Sequence, residues 1–400
     1  MTTASAEPRP RKTARMQRRP RMVRFLVVLG TVTMLVHLPF VAAVGYLGQE
    51  LGWASPWTIA WIAGAVGIGM FAWRGRAGAT DQKRGRLVPL LLDVPYFIHW
   101  CACVYGMFPA LGSLLVFPLV EIARHEPLAW PLRFYFWTYA SGLLVCGYGV
   151  LVRRRWVVVK SFDVKVRGLD PKLDGYTIAQ LSDLHIGTMT PKEVGLKWAK
   201  MANDRAPDLA VVTGDMVTSG TAYHPDIAEV VAALRAKDGV FVAMGNHDYF
   251  GDGEPLVHLL RDRGVTVLRN EGQPIRRGDA AFYLCGIDDT WTKRDDLDKA
   301  LRDRPAGMPA VLLAHDPDRF PHAVARGVEL TLSGHTHGGQ IAMPFLDRWV
   351  SLSHIAHRYN VGIYVEGNSC LYVHPGNGTT GPPMRLGVAP AVVLLRLRAA

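Results

Sequence analysis

The sequence contains little cysteine, and it lacks internal repeats and low-complexity tracts beyond its basic N-terminal segment. Its five cysteines are an odd number scattered along the chain, which excludes a secreted scaffold dense in disulfide bonds. Apolar residues make up 49% of the 400 residues, enough for a sizeable core and too many for a disordered or collagen-like chain. This fraction lies near the globular average, so composition alone does not identify a membrane protein.

An excess of positive charge is absent from most of the chain, although the net formal charge is +11. Three short clusters carry it: residues 1–24 with a net charge of +7, residues 74–86 with +4 and residues 153–155 with +3. The two stretches between the clusters have a net charge of −1 each, and residues 156–400 also have −1. Because this C-terminal part lacks the basic surplus typical of polynucleotide binding, we expect no nucleic-acid partner.

Charged side chains are rare or missing in four long apolar runs. These runs cover residues 25–48, 51–73, 87–120 and 130–152. A helix needs about 20 apolar residues to cross a bilayer, so the runs predict an all-α transmembrane region of about four helices; buried core helices are the alternative. The third run contains Asp93 and His99 together with three prolines, so it is a full span, a broken helix or a re-entrant segment.

The basic clusters flank alternate sides of these runs. By the positive-inside rule, both termini face the cytoplasm of a multi-pass protein in the cell (inner) membrane. The Arg18-Arg19 pair also occurs in twin-arginine export signals, but three further runs follow it and no clear cleavage site is present. Asp93 and His99 either mark an intramembrane functional site or lie at the interface or against other helices.

After residue 155 the pattern changes to alternating strands and helices. We predict strands at residues 156–166, 176–181, 209–213, 240–244, 281–286, 310–314, 330–333 and 391–397. Predicted helices lie between them, the first opening with a capping box at Thr190–Glu193 and the others at residues 226–236, 254–262, 294–301 and 317–325. The alternation predicts an α/β layered domain over residues 156–400, after a basic segment at 1–24 and the transmembrane region at 25–152.

Metal-ligating residue types follow five of the predicted strands. In chain order they are Asp183-Leu184-His185, Gly214-Asp215, Gly245-Asn246-His247-Asp248, His315 and Gly334-His335-Thr336-His337. Ligands bind at the carboxyl ends of strands in α/β sheets, because the loops converge there. Alone, Gly214-Asp215 is commonly just a turn and His315 a core or surface histidine, but the five motifs in order predict one metal centre. Imidazole nitrogens mixed with Asp and Asn oxygens, without thiolate, suit Mn, Fe or Zn better than Ca or Mg.

This series of motifs resembles that of the calcineurin-like metallophosphoesterase superfamily. The sequences at 181–185 and 334–340 are similar to its bacterial branch with an N-terminal membrane anchor. The resemblance covers about residues 156–400 and implies a sandwich of two β-sheets flanked by helices, with a dinuclear metal site. It implies that one ion is held by Asp183, His185 and His337, and a second by Asn246, His315 and His335, with Asp215 bridging both.

The same resemblance implies the chemistry of the site. Two divalent or trivalent ions (Mn, Fe or Zn) would bind the phosphoryl oxygens and a bridging hydroxide that attacks phosphorus in line. His247 is implied to protonate the leaving oxygen, with Asp248 orienting it, a role that suits imidazole.

Arg385 is a candidate to clamp a substrate phosphate, although a single arginine also often faces solvent. Three glycines indicate either a tight loop near the site or a flexible one: Gly376, Gly378 and Gly381.

Three positions depart from the pattern of the branch. Thr218 stands where an acidic residue is common, Ala389-Pro390-Ala391 replaces a Pro-Glu pair, and His374 replaces a different polar residue. None of them is an implied metal ligand. The departures therefore weaken any assignment of the substrate by analogy with the branch, and they leave the expected phosphoesterase activity unchanged.

Together these features predict a membrane-anchored, metal-dependent phosphoesterase that hydrolyses phosphodiester or pyrophosphate bonds at the cytoplasmic membrane face. A related anchored enzyme class cleaves the pyrophosphate of UDP-diacylglucosamine, so the expected substrate is a phosphorylated small molecule or a lipid-linked pyrophosphate. A nucleotide or cyclic-nucleotide phosphodiesterase is a second hypothesis. A third is a non-catalytic membrane sensor or scaffold, which the complete set of candidate ligands disfavours.

Overall fold

The structure is a computed structural model that describes residues 14–79, 82–85, 87–124, 129–342, 353 and 357–400. Residues 1–13 of the predicted basic segment, and Arg86 of the second basic cluster, lie outside the described residues. The chain divides into two compact units. The first comprises the described residues up to Ala79 together with Ile98–Val145, and the second comprises Thr80–Phe97 with Cys146–Ala400.

Long apolar helices build the first unit and continue into the second. They are α1 (Ala14–Glu50), α2 (Pro56–Ala79), α3 (Val94–Arg124) and α4 (Ala129–Leu151). Among the described residues, four stretches are long and apolar enough to cross a membrane: Val27–Glu50, Pro56–Arg76, Pro89–Ser113 and Pro131–Arg155. No more than 39% of any stretch is buried, which suits helices facing lipid and does not suit core helices.

The third apolar run forms one continuous helix after a short irregular start. A π-helical turn at Pro89–Asp93 leads into α3, which continues through Pro109 and Pro118 to Arg124. Neither proline ends the helix, although each lacks the backbone N–H of a regular helical hydrogen bond. The described part of this run is therefore a single helix and not a broken one, while its full crossing of the membrane stays a prediction.

Twelve strands and five further helices form the rest of the described second unit. The strands are β1 (Val158–Val166), β2 (Thr177–Leu181), β3 (Leu209–Thr213), β4 (Val240–Ala243), β5 (Thr266–Leu268), β6 (Glu271–Arg277), β7 (Ala280–Gly286), β8 (Ala310–Leu313), β9 (Leu330–Ser333), β10 (Gly362–Glu366), β11 (Ser369–Val373) and β12 (Ala391–Ala399). The helices are α5 (Lys192–Asn203), α6 (His224–Ala232), α7 (Glu254–Arg261), α8 (Leu297–Ala300) and α9 (Phe320–Ala325).

These strands form two six-stranded sheets, with the orders β1-β12-β2-β3-β4-β5 and β10-β11-β9-β8-β7-β6. In the first sheet β2 to β5 run parallel, and β12 lies between β1 and β2, parallel to the former and antiparallel to the latter. In the second sheet β7, β8, β9 and β11 run parallel, with antiparallel β6 and β10 at the edges. The long parallel segments put successive strand ends at one edge of each sheet.

One apolar core lies between the two sheets and joins residues from both, such as Ile178, Leu395, Phe282 and Tyr372. Burial of each such large side chain stabilises the fold by about 1.5–3 kcal/mol. A second cluster packs α5, α6 and α7 on the first sheet, and a third packs α8 and α9 on the second. This layered arrangement confirms the predicted α/β fold class, a two-sheet sandwich flanked by helices.

The capping box predicted at Thr190–Glu193 is wrong. The helix α5 begins after Pro191, which is its N-cap residue, and no side chain caps it. Thr190 instead forms a turn with Gly187, in which the Thr190 amide donates to the Gly187 carbonyl at 3.2 Å. The fixed φ of proline suits this entry to the helix, so the turn replaces the hydroxyl cap.

Candidate metal centre

The loops after five strands bring the seven predicted metal ligands together. Asp183 and His185 follow β2, Asp215 follows β3 and Asn246 follows β4. His315 follows β8, and the pair His335 and His337 follows β9. Because the strands of each group run parallel, their carboxyl ends meet, as the sequence pattern predicts for a ligand site.

The first group of donor atoms comes from Asp183, His185 and His337, all buried. The Nε2 atoms of His185 and His337 lie 3.1 Å apart, and His337 Nε2 lies 3.4 Å from Asp183 Oδ1. The backbone amide of His335 donates to both carboxylate oxygens of Asp183, at 3.0 and 3.2 Å, and fixes its orientation. Three donor atoms therefore converge on one point.

The second group comes from Asp215, His315 and His335. His315 Nε2 lies 3.1 Å from Asp215 Oδ2 and 3.2 Å from His335 Nδ1. The same Asp215 oxygen lies 3.8 Å from His185 Nε2, so it joins the two groups. Asn246 follows the neighbouring strand, and its buried Oδ1 has no hydrogen-bond partner among the described residues. A buried, unpaired amide oxygen is costly, and a bound cation would satisfy it.

Hydrogen bonds from backbone groups around the site orient two of its side chains, His315 and Asp215. The carbonyl oxygen of Thr213 accepts from His315 Nδ1 at 2.7 Å, so Nε2 is the ring nitrogen that faces Asp215. The backbone amide of His247 donates to Asp215 Oδ1 at 2.8 Å, which leaves Oδ2 directed at the imidazoles. The donor atoms are thus oriented before any ligand binds.

Backbone strain is concentrated in the same loops. Among the described residues, nine non-glycine residues have positive φ, and five of them are predicted ligands, with φ between 45° and 71°. These five are Asp183, His185, Asp215, His335 and His337. Each residue in this region costs on the order of 1–3 kcal/mol, and such strain clusters at functional sites.

Burial and mutual charge shift the acid–base equilibria of the centre. Burial lowers the pKa of His185 to about 3 and of His335 to about 4, and it lowers that of His337 well below its ordinary value. Burial also raises the pKa of Asp183 to about 6. Burial alone would lower the pKa of His315, but the Asp215 carboxylate outweighs it and raises that pKa to about 10. The neutral imidazoles of His185, His335 and His337 are in the form that binds metals.

His247 and Asp248, the two residues expected to act in proton transfer, differ in their exposure and in their hydrogen-bond partners. His247 is partly exposed, and its ring contacts that of His185 edge-to-face, with 4.7 Å between centroids. The Thr218 carbonyl accepts from His247 Nδ1 at 2.7 Å and so orients the ring. Asp248 is buried, and its carboxylate accepts from the amides of Gly245, Met216 and Val217 at 2.8–3.2 Å. Asp248 therefore holds the loop after β3 against the loop after β4. The hydrogen bond that orients His247, which the sequence led us to expect from Asp248, comes from the Thr218 carbonyl.

Arg385 is fully buried behind His337 rather than exposed to solvent. Its guanidinium donates to the carbonyls of Pro375, Gly376 and Gly378 at 2.6–3.1 Å and lies 3.4 Å from His337 Nδ1. These contacts hold the glycine loop against the site, while the predicted contact with a phosphate stays a prediction. Gly376 has φ +75°, and a Cβ there would lie 2.8 Å from His337 Nδ1, so glycine is required for this close approach.

Sequence reasoning missed two exposed aromatic side chains beside the centre. Phe250 is 44% exposed and stacks near His247, with ring centroids 4.3 Å apart. Trp291 is 62% exposed, and its ring lies 5.4 Å from that of His335. No motif marks either residue, because a single aromatic in a loop carries no periodic signal.

Comparison with known proteins agrees with this arrangement. The family model for calcineurin-like phosphoesterases matches residues 176–339. An uncharacterised metallophosphoesterase of Aquifex aeolicus is 30% identical over 248 residues, which cover 60% of this chain and 91% of that protein. The uncharacterised metallophosphoesterase YkuE of Bacillus subtilis is 29% identical over 275 residues, which cover 67% of this chain and 96% of that protein. The chain belongs to the calcineurin-like metallophosphoesterase family.

The family consists of phosphoester hydrolases that use divalent metals, and the Asp and His groups above supply suitable donors. A transmembrane protein with a metallophosphoesterase domain from Danio rerio is 29% identical over 267 residues, covering 63% of this chain. The chain spans 60% of the length of that relative. With four candidate spans of its own, the protein is a membrane protein.

Proposed function

We propose that the protein is a membrane-anchored phosphodiesterase or pyrophosphatase with two metal ions. The observation that carries this proposal is the position of Asp215 Oδ2, which lies 3.1 Å from His315 Nε2 in one donor group and 3.8 Å from His185 Nε2 in the other. A carboxylate shared by two groups of histidines suits a pair of ions, and mixed imidazole and oxygen donors suit Mn, Fe or Zn.

Seven residues would hold the two ions. Asp183, His185 and His337 would bind one, Asn246, His315 and His335 the other, and Asp215 both. The fit is supported by the unpaired Asn246 Oδ1 and by the Nε2 atoms of His185 and His337, which face each other at 3.1 Å. When bound, such ions polarise phosphoryl oxygens and activate water as a nucleophile.

The protein's own residues would then direct the reaction. His247, oriented by the Thr218 carbonyl, presents its other ring nitrogen toward the centre and would protonate the leaving oxygen. Asp248 would act by holding the loops that carry Asp215 and Asn246, and the loop secured by Arg385 closes the site behind His337. Substrate enters beside the exposed rings of Phe250 and Trp291.

Hydrolysis by the full-length, detergent-solubilised, Mn-loaded protein tests this proposal. We expect it to cleave bis(p-nitrophenyl) phosphate, and the Asp215→Asn variant to lose at least 100-fold in kcat/KM. Asp163→Asn is the matched control, because Asp163 is an exposed residue of β1 whose side chain pairs with Arg396 and Arg398. Inactive wild-type protein, or an Asp215→Asn variant as active as wild type, would leave the sensor or scaffold hypothesis standing.

The substrate we favour is a lipid-linked pyrophosphate at the cytoplasmic face of the cell membrane. The support is the membrane anchor together with the near-neutral charge of residues 156–400. Lipid pyrophosphates, nucleotide diesters including cyclic nucleotides, and simple monoesters should be compared at equal concentration. A kcat/KM highest on the lipid pyrophosphate supports the assignment, and one highest on a nucleotide diester supports the alternative.

The cytoplasmic orientation can be tested by labelling one exposed position. Cys285 and Cys370 are buried and therefore unsuitable as reporters. The side chain of Lys200 on α5 is 73% exposed, so Lys200→Cys supplies an accessible thiol. We expect a membrane-impermeant maleimide to label it in lysed cells and not in intact cells. Labelling in intact cells would place this domain outside.

A further inference from the structure

A second cluster of metal-ligating side chains lies in the first unit, among the candidate membrane spans. It consists of His37 on α1 with His99 and Cys103 on α3, which are one helical turn apart. The ring nitrogens and the sulfur lie within 4.8 Å of one another. His37 and Cys103 are buried, and His99 is half-buried. No residue of the phosphoesterase centre belongs to this cluster.

His37 has a free ligand atom directed into the cluster. Its Nδ1 lies 2.6 Å from the Thr33 carbonyl oxygen, which can only accept, so Nδ1 carries the proton. Nε2 therefore keeps its lone pair, and it has no hydrogen-bond partner among the described residues although His37 is only 1% exposed. A buried acceptor without a partner costs free energy, and a cation would satisfy it.

The fold leaves room for the second imidazole at the same point. His99 Nδ1 lies 2.9 Å from the Tyr139 hydroxyl of α4, which leaves His99 Nε2 available as a ligand. A Cβ on Gly67 of α2 would lie 2.5 Å from His37 Nε2 and 3.5 Å from His99 Nε2. Both ring nitrogens thus approach one glycine, and any side chain at that position would fill the space between the helices.

We propose that this cluster binds a borderline or soft transition-metal ion such as Zn²⁺, with His37 Nε2, His99 Nε2 and Cys103 Sγ as ligands. Imidazole and thiolate are the donors that such ions prefer, and hard ions such as Ca²⁺ or Mg²⁺ prefer oxygen. Cys103 Sγ lies 3.8 Å from His99 Nε2, close to the roughly 3.5 Å expected for N and S on one tetrahedral zinc ion.

Binding would convert the Cys103 thiol to a thiolate and release its proton to solvent. Three protein ligands leave a fourth position for water or another ligand, as in exchangeable zinc sites. All four candidate spans contribute, through His37, Gly67, His99 with Cys103, and Tyr139. Polar groups are rare in such segments and commonly mark a functional site.

Cobalt absorption of the metal-stripped, full-length protein in detergent tests this proposal, because Co²⁺ substitutes for Zn²⁺ and a thiolate ligand gives a near-ultraviolet charge-transfer band. The phosphoesterase centre offers only nitrogen and oxygen donors, so it contributes no such band. We expect the band in wild type and its loss in Cys103→Ser. Cys101→Ser is the matched control, since Cys101 is also a buried cysteine of α3 but lies outside the cluster, and it should keep the band.

Three further variants and an activity control keep the result interpretable. We expect His37→Ala and Gly67→Ala to weaken Co²⁺ binding at this site at least tenfold, while Gly69→Ala, where a Cβ meets open space, leaves it unchanged. Hydrolysis of bis(p-nitrophenyl) phosphate should persist in all these variants and serves as the folding control. Absence of the band from wild type at saturating Co²⁺, or an undiminished band in Cys103→Ser, would overturn the proposal.

Discussion

The Nδ1 atom of His247 lies 2.7 Å from the carbonyl oxygen of Thr218, three residues after Asp215. A backbone carbonyl can only accept, so this contact fixes the proton on Nδ1 and leaves the second ring nitrogen for chemistry at the centre. The side-chain hydroxyl of Thr218 also donates to the His185 carbonyl at 3.1 Å. One loop thus orients the candidate acid and supports a candidate ligand.

We predict that His247→Ala lowers kcat by about 100- to 10,000-fold on diesters with a poor alkoxide leaving group. The loss should be much smaller with p-nitrophenolate, because that leaving group departs without protonation. Steady-state kinetics on a series of leaving groups measures the difference. Equal losses across the series would show that His247 does not protonate the leaving oxygen.

The two donor groups should lose their ions separately. We expect His337→Ala to remove one metal equivalent and His315→Ala the other, whereas Asp215→Asn weakens the binding of both ions, since Asp215 lies between the groups. Metal content of the purified variants, measured by mass spectrometry after dialysis, checks this expectation. Loss of both ions from each single histidine variant would indicate one cooperative site, and loss of neither would exclude these ligands.

Trp291 should affect substrate affinity more than turnover, because its exposed ring lies beside His335, with 5.4 Å between ring centroids, and offers no metal-binding atom itself. We expect Trp291→Ala to raise KM about tenfold for substrates with a nucleobase or other aromatic group, in line with stacking of about 1–3 kcal/mol per ring. KM for small alkyl substrates should not change. Trp156, which is 60% exposed, provides a matched Trp→Ala control; an equal effect there would contradict a local role.

Arg385 should contribute to stability through the loop that it holds. Replacing it with Met leaves three buried carbonyls without their donor, and we expect the free energy of unfolding to fall by about 3 kcal/mol. Chemical denaturation of wild type and variant measures this change. A KM raised at unchanged stability would instead support the predicted contact with a substrate phosphate.

Asp208, which lies outside the metal centre, should make the free energy of unfolding depend on pH. Burial by itself raises its pKa, but hydrogen bonds from Lys237, Thr177 and Arg277 outweigh burial and lower the pKa to about 2. Because the folded pKa lies below the unfolded value of about 3.9, the stabilisation is fully present above about pH 5 and is lost as the pH falls through about 2. We expect Asp208→Asn to lower the free energy of unfolding by about 1–2 kcal/mol at pH 7.

The difference between wild type and Asp208→Asn should narrow as the pH falls from 5 to 3. Comparing denaturation midpoints of the two proteins at each pH removes the titrations that they share. Asp163→Asn again serves as the exposed control. A difference that is constant over this range would contradict an electrostatic origin.

Much of the centre could be predicted because its residues follow strands whose burial is evident in the sequence. β3, for example, has the bounds Leu209–Thr213 that its apolar run predicts, and Asp215 follows after Gly214. The strands that were missed lie mostly at sheet edges. β6 contains Pro274 and exposes polar side chains at Glu271, Gln273 and Arg276. β10 is largely half-exposed. Neither strand therefore shows a strong apolar pattern in the sequence.

The contacts of individual polar side chains could not be read from the sequence. Asp248 adjoins His247 in the chain, yet its carboxylate accepts from the amides of Met216 and Val217 after β3, because the tight turn after β4 places it 2.8–3.2 Å from those donors. Arg385 was an isolated arginine in the sequence, and only the folded loop supplies its three carbonyl partners. Both outcomes depend on long-range register, which local patterns do not encode.

The position of β12 has a consequence for the order in which this domain can fold. This last strand separates β1 from β2, pairing Val158 with Ala391 on one side and Gln180 with Val393 on the other. While the ribosome is still making the chain, β2 to β5 can assemble, but β1 must wait for its partner. Such a long-range closure slows folding, and we expect the apolar residues of β1 to need protection by chaperones until synthesis has passed Ala399.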